Sequence, residues 1–158
     1  TKAVGEIIQT AVQRGSRIRA FGAGHSPSDI AMSNEELIVT SQLNRVLRID
    51  PSTKTVVVEA GITLNELNQA LASYGLALPN LGSISAQTLA GAMATATHGT
   101  GLNYGVLPTL IRAMTLVTGM GESVHLSEQE NNRWFKAAQC SLGSLGVVTE
   151  LELQVCDA

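Results

Sequence analysis

The residues with the clearest potential for chemistry form a short loop, Gly22-Ala-Gly-His-Ser-Pro-Ser28, which follows the β-prone run Arg17–Phe21. Its two glycines allow a tight turn that brings backbone N–H groups close to an anion. His25 stands in this irregular segment, which we expect to be exposed and where an imidazole is available to react. The loop predicts a phosphate-bearing ligand with a reactive histidine beside it.

Three further loops combine glycines with hydroxyl side chains. We call Gly22–Ser28 the first loop, and the second, third and fourth loops are Gly82–Thr88, Thr95–Gly101 and Ser141–Gly146. Together they could wrap a large ligand that is rich in oxygen acceptors, such as a dinucleotide. Gln87 or Thr88 opens a short predicted helix, whose first N–H groups would point at a phosphate.

Other site types are weaker matches to these residues. The first loop almost fits the dinucleotide fingerprint Gly-x-Gly-x-x-Gly, but Pro27 occupies the third glycine position and no acidic residue follows at the expected distance. His25, Ser26 and Asp29 have the side-chain types of a hydrolase triad, yet Gly-x-Ser-x-Gly is absent. The spacing of the three histidines gives no support to a zinc site.

The composition narrows the classes of protein that this chain can represent. It has 158 residues, 44% hydrophobic and only 3% aromatic, so a globular core must be mainly aliphatic. The net charge is −3, and the Lys and Arg residues form no basic stripe, which argues against a nucleic-acid surface. A polyanionic ligand would therefore be held mainly by backbone N–H groups and hydroxyls.

The cysteines and the chain ends indicate little about the ligand or the location of the protein. Cys140 and Cys156 are too few for a disulfide framework and lack metal-ligand spacing. No apolar run approaches the roughly 20 residues of a transmembrane helix, and no leader peptide is visible. The chain opens without Met inside a helical pattern, so we expect a piece of a longer protein. Its location in the cell stays open, because an anchoring segment could lie in the missing part.

Alternating helices and strands must position the loops. Apolar residues from Ala3 to Val12 recur at helical spacing, and Gly15 ends this helix. The first loop directly follows the first of the predicted strands, and a boundary between subdomains is expected near Gly61. These strands are Arg17–Phe21, Leu37–Thr40, Arg45–Asp50 and Thr55–Ala60.

Two capping-box sequences are interpreted as helix starts after Gly61. Thr63-Leu-Asn-Glu66 opens a helix that Gly75 closes, and Ser127-Glu-Gln-Glu130 opens another that runs to about Gln139. The remaining predictions are a brief strand at 76–78, a helix of small residues at 86–94, a hairpin of 112–118 with 122–126, and a strand at 147–155.

Taken in order, these segments resemble the FAD domain of the aldonolactone oxidases, within the vanillyl-alcohol-oxidase flavoprotein superfamily, whose FAD domain is called the PCMH type. The L-gulonolactone and D-arabinonolactone oxidase group is most similar, and the resemblance covers nearly the whole chain. It lies in Gly22–Ile30, Asn44–Leu47, Val56–Gly61, Gly75–Ser85, Thr97–Gly101 and Ser141–Val147.

The resemblance implies an α+β fold, a PCMH-type domain made of two α/β subdomains with FAD between them. The subdomains would be residues 1–60 and 61–158, and the second would contain a mostly antiparallel sheet. A C-terminal cap domain that binds the substrate would be absent from this chain, and no residue present here is assigned as catalytic.

The resemblance also implies the cofactor contacts. The first loop would hold the FAD pyrophosphate, His25 would be bonded covalently to the flavin 8α-methyl group, and the backbone of Val147 would lie near the adenine. An imidazole exposed to water is a usable nucleophile at neutral pH. The implied cofactor-binding residues are Gly22, Ala23, Gly24, His25, Ser26, Pro27, Ser83, Ser85, Gln87, Thr88, Gly91, Thr95, His98, Gly99 and Val147.

The implied function is oxidation of a sugar lactone. The complete enzyme would convert an aldono-1,4-lactone and O2 into the dehydro-lactone and H2O2, a reaction typical of ascorbate-type biosynthesis. Gly82 matches a position where glycine leaves oxygen a path to the flavin, which favours an oxidase. The alternatives are an alditol or other carbohydrate oxidase, a flavin dehydrogenase, or a flavin-free binding module with the same fold.

Overall fold

A computed structural model describes all 158 residues as one mixed arrangement of helices and strands, and the predicted α+β class is confirmed. The α-helices are α1 (Lys2–Arg14), α2 (Leu64–Ala72), α3 (Leu89–Ala94) and α4 (Asn132–Ala138). The strands are β1 (Ile18–Phe21), β2 (Glu36–Val39), β3 (Val46–Asp50), β4 (Thr55–Glu59), β5 (Leu76–Ala77), β6 (Ile111–Val117), β7 (Ser123–Ser127), β8 (Val147–Gln154) and β9 (Cys156–Asp157).

The main sheet has five antiparallel strands in the order β3-β4-β8-β6-β7. β8 lies at its centre, and buried and half-buried residues alternate along the whole strand, as expected for a strand that faces a core on one side only. The main apolar core packs on the buried face. It includes Val56, Val58, Leu64, Leu67, Leu89, Phe135, Leu151 and Leu153.

A smaller unit is built from α1 and the parallel pair β1–β2. Its own cluster joins Val4 and Ile8 of α1 to Ile38 of β2, and it reaches the main sheet through Val117 and Val147. The helix ends at Gly15, whose φ is +69°, a left-handed conformation that glycine adopts without strain. The first loop leaves β1 at the junction of the two units.

Gly61 joins the smaller unit to the main sheet by a close backbone approach. A Cβ at this position would lie 1.9 Å from the carbonyl oxygen of Thr40, and the Gly61 N–H donates to the carbonyl of Leu43. The predicted boundary at Gly61 stays a prediction. The sheet pairing is relevant to it. β3 and β4 precede Gly61, yet β3 pairs with β4 and β4 pairs with β8, which follows Gly61.

One predicted helix start is wrong. The hydroxyl of Ser127 accepts the N–H groups of Gln129 and Glu130, but these residues form a turn, and α4 begins at Asn132. The first capping box is confirmed, because the Thr63 hydroxyl accepts the Glu66 N–H and the Glu66 carboxylate accepts the Thr63 N–H.

Three shorter observations complete the description. Both cysteines are free thiols. None of the helices combines the length and apolar character needed to cross a bilayer. No group of three or more His, Cys, Asp and Glu side chains is arranged to hold a metal ion.

Candidate functional site

A cavity of about 860 Å³ lies where the two units meet. Its volume falls within the range of small-molecule sites in proteins. Three segments that are distant in sequence form much of its wall: the first loop, the start of α3 with the residue before it, and the fourth loop.

The first loop supplies hydrogen-bond donors to this cavity. None of the backbone N–H groups of residues 22–26 donates a hydrogen bond within the chain, and neither does that of Ser28. Gly24 has a φ of +72°, so the loop contains the left-handed turn that lets successive N–H groups point to one side. Unpaired N–H groups lining a cavity are suited to phosphate oxygens.

Thr88 forms the contact between the first loop and α3. Its residue is only 4% exposed, and its hydroxyl makes no capping hydrogen bond. A Cβ at Gly22 would lie 2.3 Å from Thr88 Oγ1, and one at Gly91 would lie 2.8 Å from the same atom. The two glycines therefore leave room for a hydroxyl that has no protein partner and lines the cavity.

The predicted role of the α3 N-terminus is wrong in part. The N–H groups of Leu89 and Ala90 donate to the carbonyls of Ile62 and Ala60, at 2.7 and 2.9 Å. These donors are used to attach α3 to the end of β4 and cannot reach a phosphate. The N–H groups of Thr88 and Gly91 and the Thr88 hydroxyl are the donors that this segment leaves free.

The fourth loop forms the opposite side of the cavity. Its Ser141–Ser144 segment is a turn closed by the Ser144 N–H on the Ser141 carbonyl. Gly146 has a φ of +147°, and a Cβ there would lie 2.3 Å from the carbonyl oxygen of Val117. Because glycine allows this approach, the loop runs tightly along β6 before Val147 starts β8 and lines the cavity.

The second and third loops pack against each other instead. A Cβ at Gly82 would lie 2.9 Å from the Thr97 methyl carbon, and one at Gly99 would lie 2.3 Å from the Leu81 carbonyl oxygen. His98 is exposed, and its Nδ1 lies 2.9 Å from the carbonyl oxygen of its neighbour Gly99. Most of these two loops forms a surface beside the cavity, and only their residues Gln87, Thr88 and Thr95 line it.

The structure thus divides the predicted cofactor contacts into two groups. The group that lines the cavity is Gly22, Ala23, Gly24, His25, Ser26, Pro27, Gln87, Thr88, Gly91, Thr95 and Val147. The predicted contacts that lie outside the cavity wall are Ser83, Ser85, His98 and Gly99, and the predicted oxygen gate Gly82 lies beside them.

The sequence analysis missed several polar residues of the cavity wall, among them two arginines and a threonine. Arg17 and Arg19 line the cavity from β1 and the residue before it, and Thr40 joins them from the end of β2. The Thr40 hydroxyl donates to the Phe21 carbonyl and so holds the start of the first loop. The alternate positions of the two arginines, just before a glycine loop, were the signal available in the sequence.

The arginines differ in how free they are. The Arg17 guanidinium pairs with Glu35 at 3.2 Å. The pKa of the Glu35 carboxyl is lowered because it accepts hydrogen bonds from the Arg17 backbone N–H and then from its side chain. Arg19 donates to the Ile30 carbonyl and has no carboxylate partner. The cavity wall therefore combines backbone donors, a free hydroxyl and positive charge, which fits an anionic ligand.

Sequence comparison relates this arrangement to known proteins. Residues 1–127 match the family described as the FAD binding domain. An L-gulonolactone oxidase from Scyliorhinus torazame is 43% identical over 153 residues, which are 97% of this chain and 35% of that protein. An L-gulono-1,4-lactone dehydrogenase from Mycobacterium tuberculosis is 43% identical over 149 residues, which are 94% of this chain and 34% of that protein. A D-arabinono-1,4-lactone oxidase from Yarrowia lipolytica is 37% identical over 156 residues, 96% of this chain and 30% of that protein.

Solved structures show the same fold. A 6-hydroxy-D-nicotine oxidase from Arthrobacter nicotinovorans superposes with a TM-score of 0.89 at 25% identity, over 98% of this chain and 34% of that one. A chitooligosaccharide oxidase superposes with a TM-score of 0.90 at 24% identity, over 99% of this chain and 34% of that one, a likeness of fold alone. The chain spans about a third of the length of the relatives that it matches.

Proposed function

The chain belongs to the FAD binding domain family, and on that premise we propose that it is the FAD-holding part of a sugar-lactone oxidase. The observation that carries the proposal is the row of unpaired N–H groups in residues 22–26, which faces a cavity shared with α3 and the fourth loop. The oxygens of a pyrophosphate need such a set of hydrogen-bond donors. The cavity wall contains few cationic side chains that could bind these oxygens instead.

The residues on the cavity wall fit FAD by the chemistry of their donors. The first-loop N–H groups and the Thr88 hydroxyl would bind pyrophosphate oxygens, with Arg19 supplying charge. Aliphatic wall residues such as Met93, Met114 and Leu145 would contact the ring systems. The protein's part is to hold and orient the cofactor, while FAD, when bound, would supply the acceptor for the hydride of a CH–OH group whose hydroxyl proton leaves separately.

For the whole enzyme we propose oxidation of an aldono-1,4-lactone by O2 to the dehydro-lactone and H2O2. The L-gulonolactone and D-arabinono-1,4-lactone oxidases among the relatives support this substrate class. The residues that bind and deprotonate the lactone would lie in the part of the protein outside this chain. Purified protein should carry visible flavin absorbance; a colourless protein that does not take up added FAD would overturn the proposal.

We further propose that FAD is attached covalently through His25. The imidazole is exposed on the first loop and lines the cavity, so its ring nitrogens are accessible to a cofactor bound there. That bond replaces one C–H of the methyl group and one N–H of the imidazole, and the two electrons and two protons leave through the flavin ring to O2 as H2O2.

The covalent bond is tested by acid precipitation. Flavin should remain with the precipitated protein in the unmodified chain and move into the supernatant in His25→Ala. A matched control is His125→Ala, since His125 is an exposed histidine outside the cavity wall and its loss should leave the flavin attached. Flavin that is extractable from the unmodified chain would remove the covalent proposal and leave the FAD site intact.

Gly82 is proposed to leave oxygen a path to the reduced cofactor. One relative named an oxidase and one named a dehydrogenase are equally identical to this chain, so a dehydrogenase is retained as the alternative. Gly82 is the residue proposed to distinguish an oxidase from a dehydrogenase. In the full-length enzyme, Gly82→Ala should slow reoxidation by O2 and leave reduction by the lactone unchanged, as measured by stopped-flow absorbance.

The structure supplies the control for this substitution. The new methyl group would lie 2.9 Å from the Thr97 methyl carbon, so Gly82→Ala should also be made together with Thr97→Ser, which removes that contact. Slow reoxidation in both variants supports a blocked oxygen path. Normal reoxidation in both rules out the gate, and slow reoxidation in the single variant alone assigns the effect to displacement of the third loop.

A further inference from the structure

The fourth loop contains a turn in which one residue, Leu142, has a backbone conformation that its residue type disfavours. The φ angles of Leu142 and Gly143 are +53° and +75°, and the Ser144 N–H donates to the Ser141 carbonyl at 2.9 Å. Two positive φ angles inside such a bond define a type I′ turn, in which Asn-Gly and Gly-Gly are strongly preferred. Leucine is disfavoured at the first central position because its Cβ crowds the following carbonyl.

Local structure explains the other non-glycine residues with positive φ. Ala96 closes α3 as a Schellman motif, since the N–H groups of Ala96 and Thr97 bond the carbonyls of Met93 and Ala92. Lys54 ends the turn between β3 and β4, and Asn131 is a residue type that tolerates this conformation. Leu142 differs from these three residues because it carries a branched apolar side chain at a turn position that favours Asn or Gly.

Leu142 is also an apolar residue at an exposed position. Its side chain is 48% exposed, and it lines the cavity that the first loop and Thr88 share. A position that combines backbone strain with an exposed apolar side chain is maintained against stability, and such positions gather at ligand sites.

We propose that Leu142 is an apolar contact of the bound dinucleotide, holding one of its flat ring systems against the wall formed by the fourth loop. This rests on the proposed FAD-binding function and adds a contact residue to it. The turn aims a leucine into the cavity at the expense of turn geometry, so relieving the strain should stabilise the ligand-free protein and weaken binding.

The test uses Leu142→Asn, which creates the Asn-Gly pair that type I′ turns prefer. We expect the Tm of the flavin-free protein to rise by about 2–4 °C and the Kd for FAD to rise by about tenfold, because the apolar contact is lost. Binding is measured by quenching of flavin fluorescence in a His25→Ala background, where flavin exchange is reversible.

Two controls separate contact from turn geometry. Leu142→Met keeps an apolar side chain and should retain most of the affinity without the gain in Tm. Lys54→Asn relieves a positive φ angle at a residue that does not line the cavity, and it should leave the Kd unchanged. An unchanged Kd in Leu142→Asn overturns this inference alone. An unchanged Tm would show that the Leu142 backbone is not strained and would overturn the inference as well. Unmodified protein that takes up no FAD overturns the proposed function, and this inference with it.

Discussion

At the scale of single residues, the contact between Gly22 and Thr88 decides whether the cavity can form. The two residues are far apart in sequence, and one missing Cβ lets the first loop lie against the hydroxyl that opens α3. A glycine at such a contact is required because it has no side chain. Adding a single methyl group therefore tests directly whether the first loop must lie against Thr88.

Gly22→Ala should weaken FAD binding by at least about tenfold, because its Cβ would lie 2.3 Å from Thr88 Oγ1 and the loop must shift. The Tm should fall as well. Gly119→Ala is the matched control, since Gly119 also lines the cavity but nothing lies within 4 Å of a Cβ built there.

The double variant Gly22→Ala with Thr88→Ala tests the proposed cause. Removing Oγ1 relieves the contact, so the loss of Tm should be smaller than the sum of the two single effects. Additive losses would show that the first loop responds to the methyl group for another reason.

Glu59 provides a residue-scale prediction on pH. Its carboxylate is buried and accepts two hydrogen bonds from Arg45, one from the guanidinium at 2.8 Å and one from the backbone N–H at 2.9 Å. The pKa of the Glu59 carboxyl is lowered, mainly by the hydrogen bond from the Arg45 side chain. A lowered pKa in the folded state means that the pair stabilises the fold above the ordinary carboxyl pKa and loses this contribution as the pH falls.

Glu59→Gln should therefore lower the Tm by a few degrees at neutral pH, and this difference from the unmodified protein should shrink below about pH 4. Glu122→Gln, at an exposed position in the turn before β7, is the control and should change the Tm little at either pH. A difference for Glu59→Gln that grows in acid would contradict the assigned sign.

At the scale of elements, two similar capping-box sequences have different outcomes. Thr63 has an extended backbone and stands directly before α2, so its hydroxyl can reach the Glu66 N–H. Ser127 is the last residue of β7, and the chain must first turn before α4 can begin at Asn132. The local sequence signal is alike in both, and the position of β7 in the sheet decides between helix and turn.

Glu66→Ala should lower the free energy of unfolding by about 0.5–1 kcal/mol, because the Thr63 N–H loses its acceptor. Glu130→Ala at the corresponding position of the second sequence should cost less than about 0.5 kcal/mol, since the Ser127 hydroxyl bonds to the backbone N–H of residue 130 and to no side chain there. Urea unfolding of both variants measures the difference; equal losses would mean that the second sequence also acts as a capping box.

At the scale of the whole molecule, β8 connects the early and late parts of the chain. It lies between β4 and β6, so β3 and β4 share their sheet and core with residues that follow Gly61. The unit of α1, β1 and β2 has its own smaller apolar cluster and meets the sheet at Val117 and Val147. This pairing favours a division between β2 and β3 over one at Gly61.

Hydrogen exchange should locate the boundary. We expect the amides of β3 and β4 to exchange together with those of β6 and β8, and the amides of β1 and β2 to exchange faster, because their cluster buries fewer side chains. If β3 and β4 exchanged with α1 instead, the division into residues 1–60 and 61–158 would be favoured.

The sequence by itself determined most elements and the identity of the loops. Helix ends at Gly15, the Thr63 capping box, the strands around the first loop and the four glycine-hydroxyl loops all follow from residues a few positions apart. Such signals depend on backbone φ angles and on hydrogen bonds within one turn, and they hold where the flanking chain leaves room for that turn.

Only the tertiary structure decided which loops share a cavity. The prediction placed all four loops around one ligand. In the structure the first and fourth loops line the cavity together with Gln87, Thr88 and Thr95, while the rest of the second and third loops pack against each other. It also revealed that Leu89 and Ala90 use their N–H groups within the chain and that Arg19 and Thr40 face the cavity. These outcomes depend on contacts between residues distant in sequence, such as Gly22 with Thr88 and Gly146 with Val117, which no local pattern records.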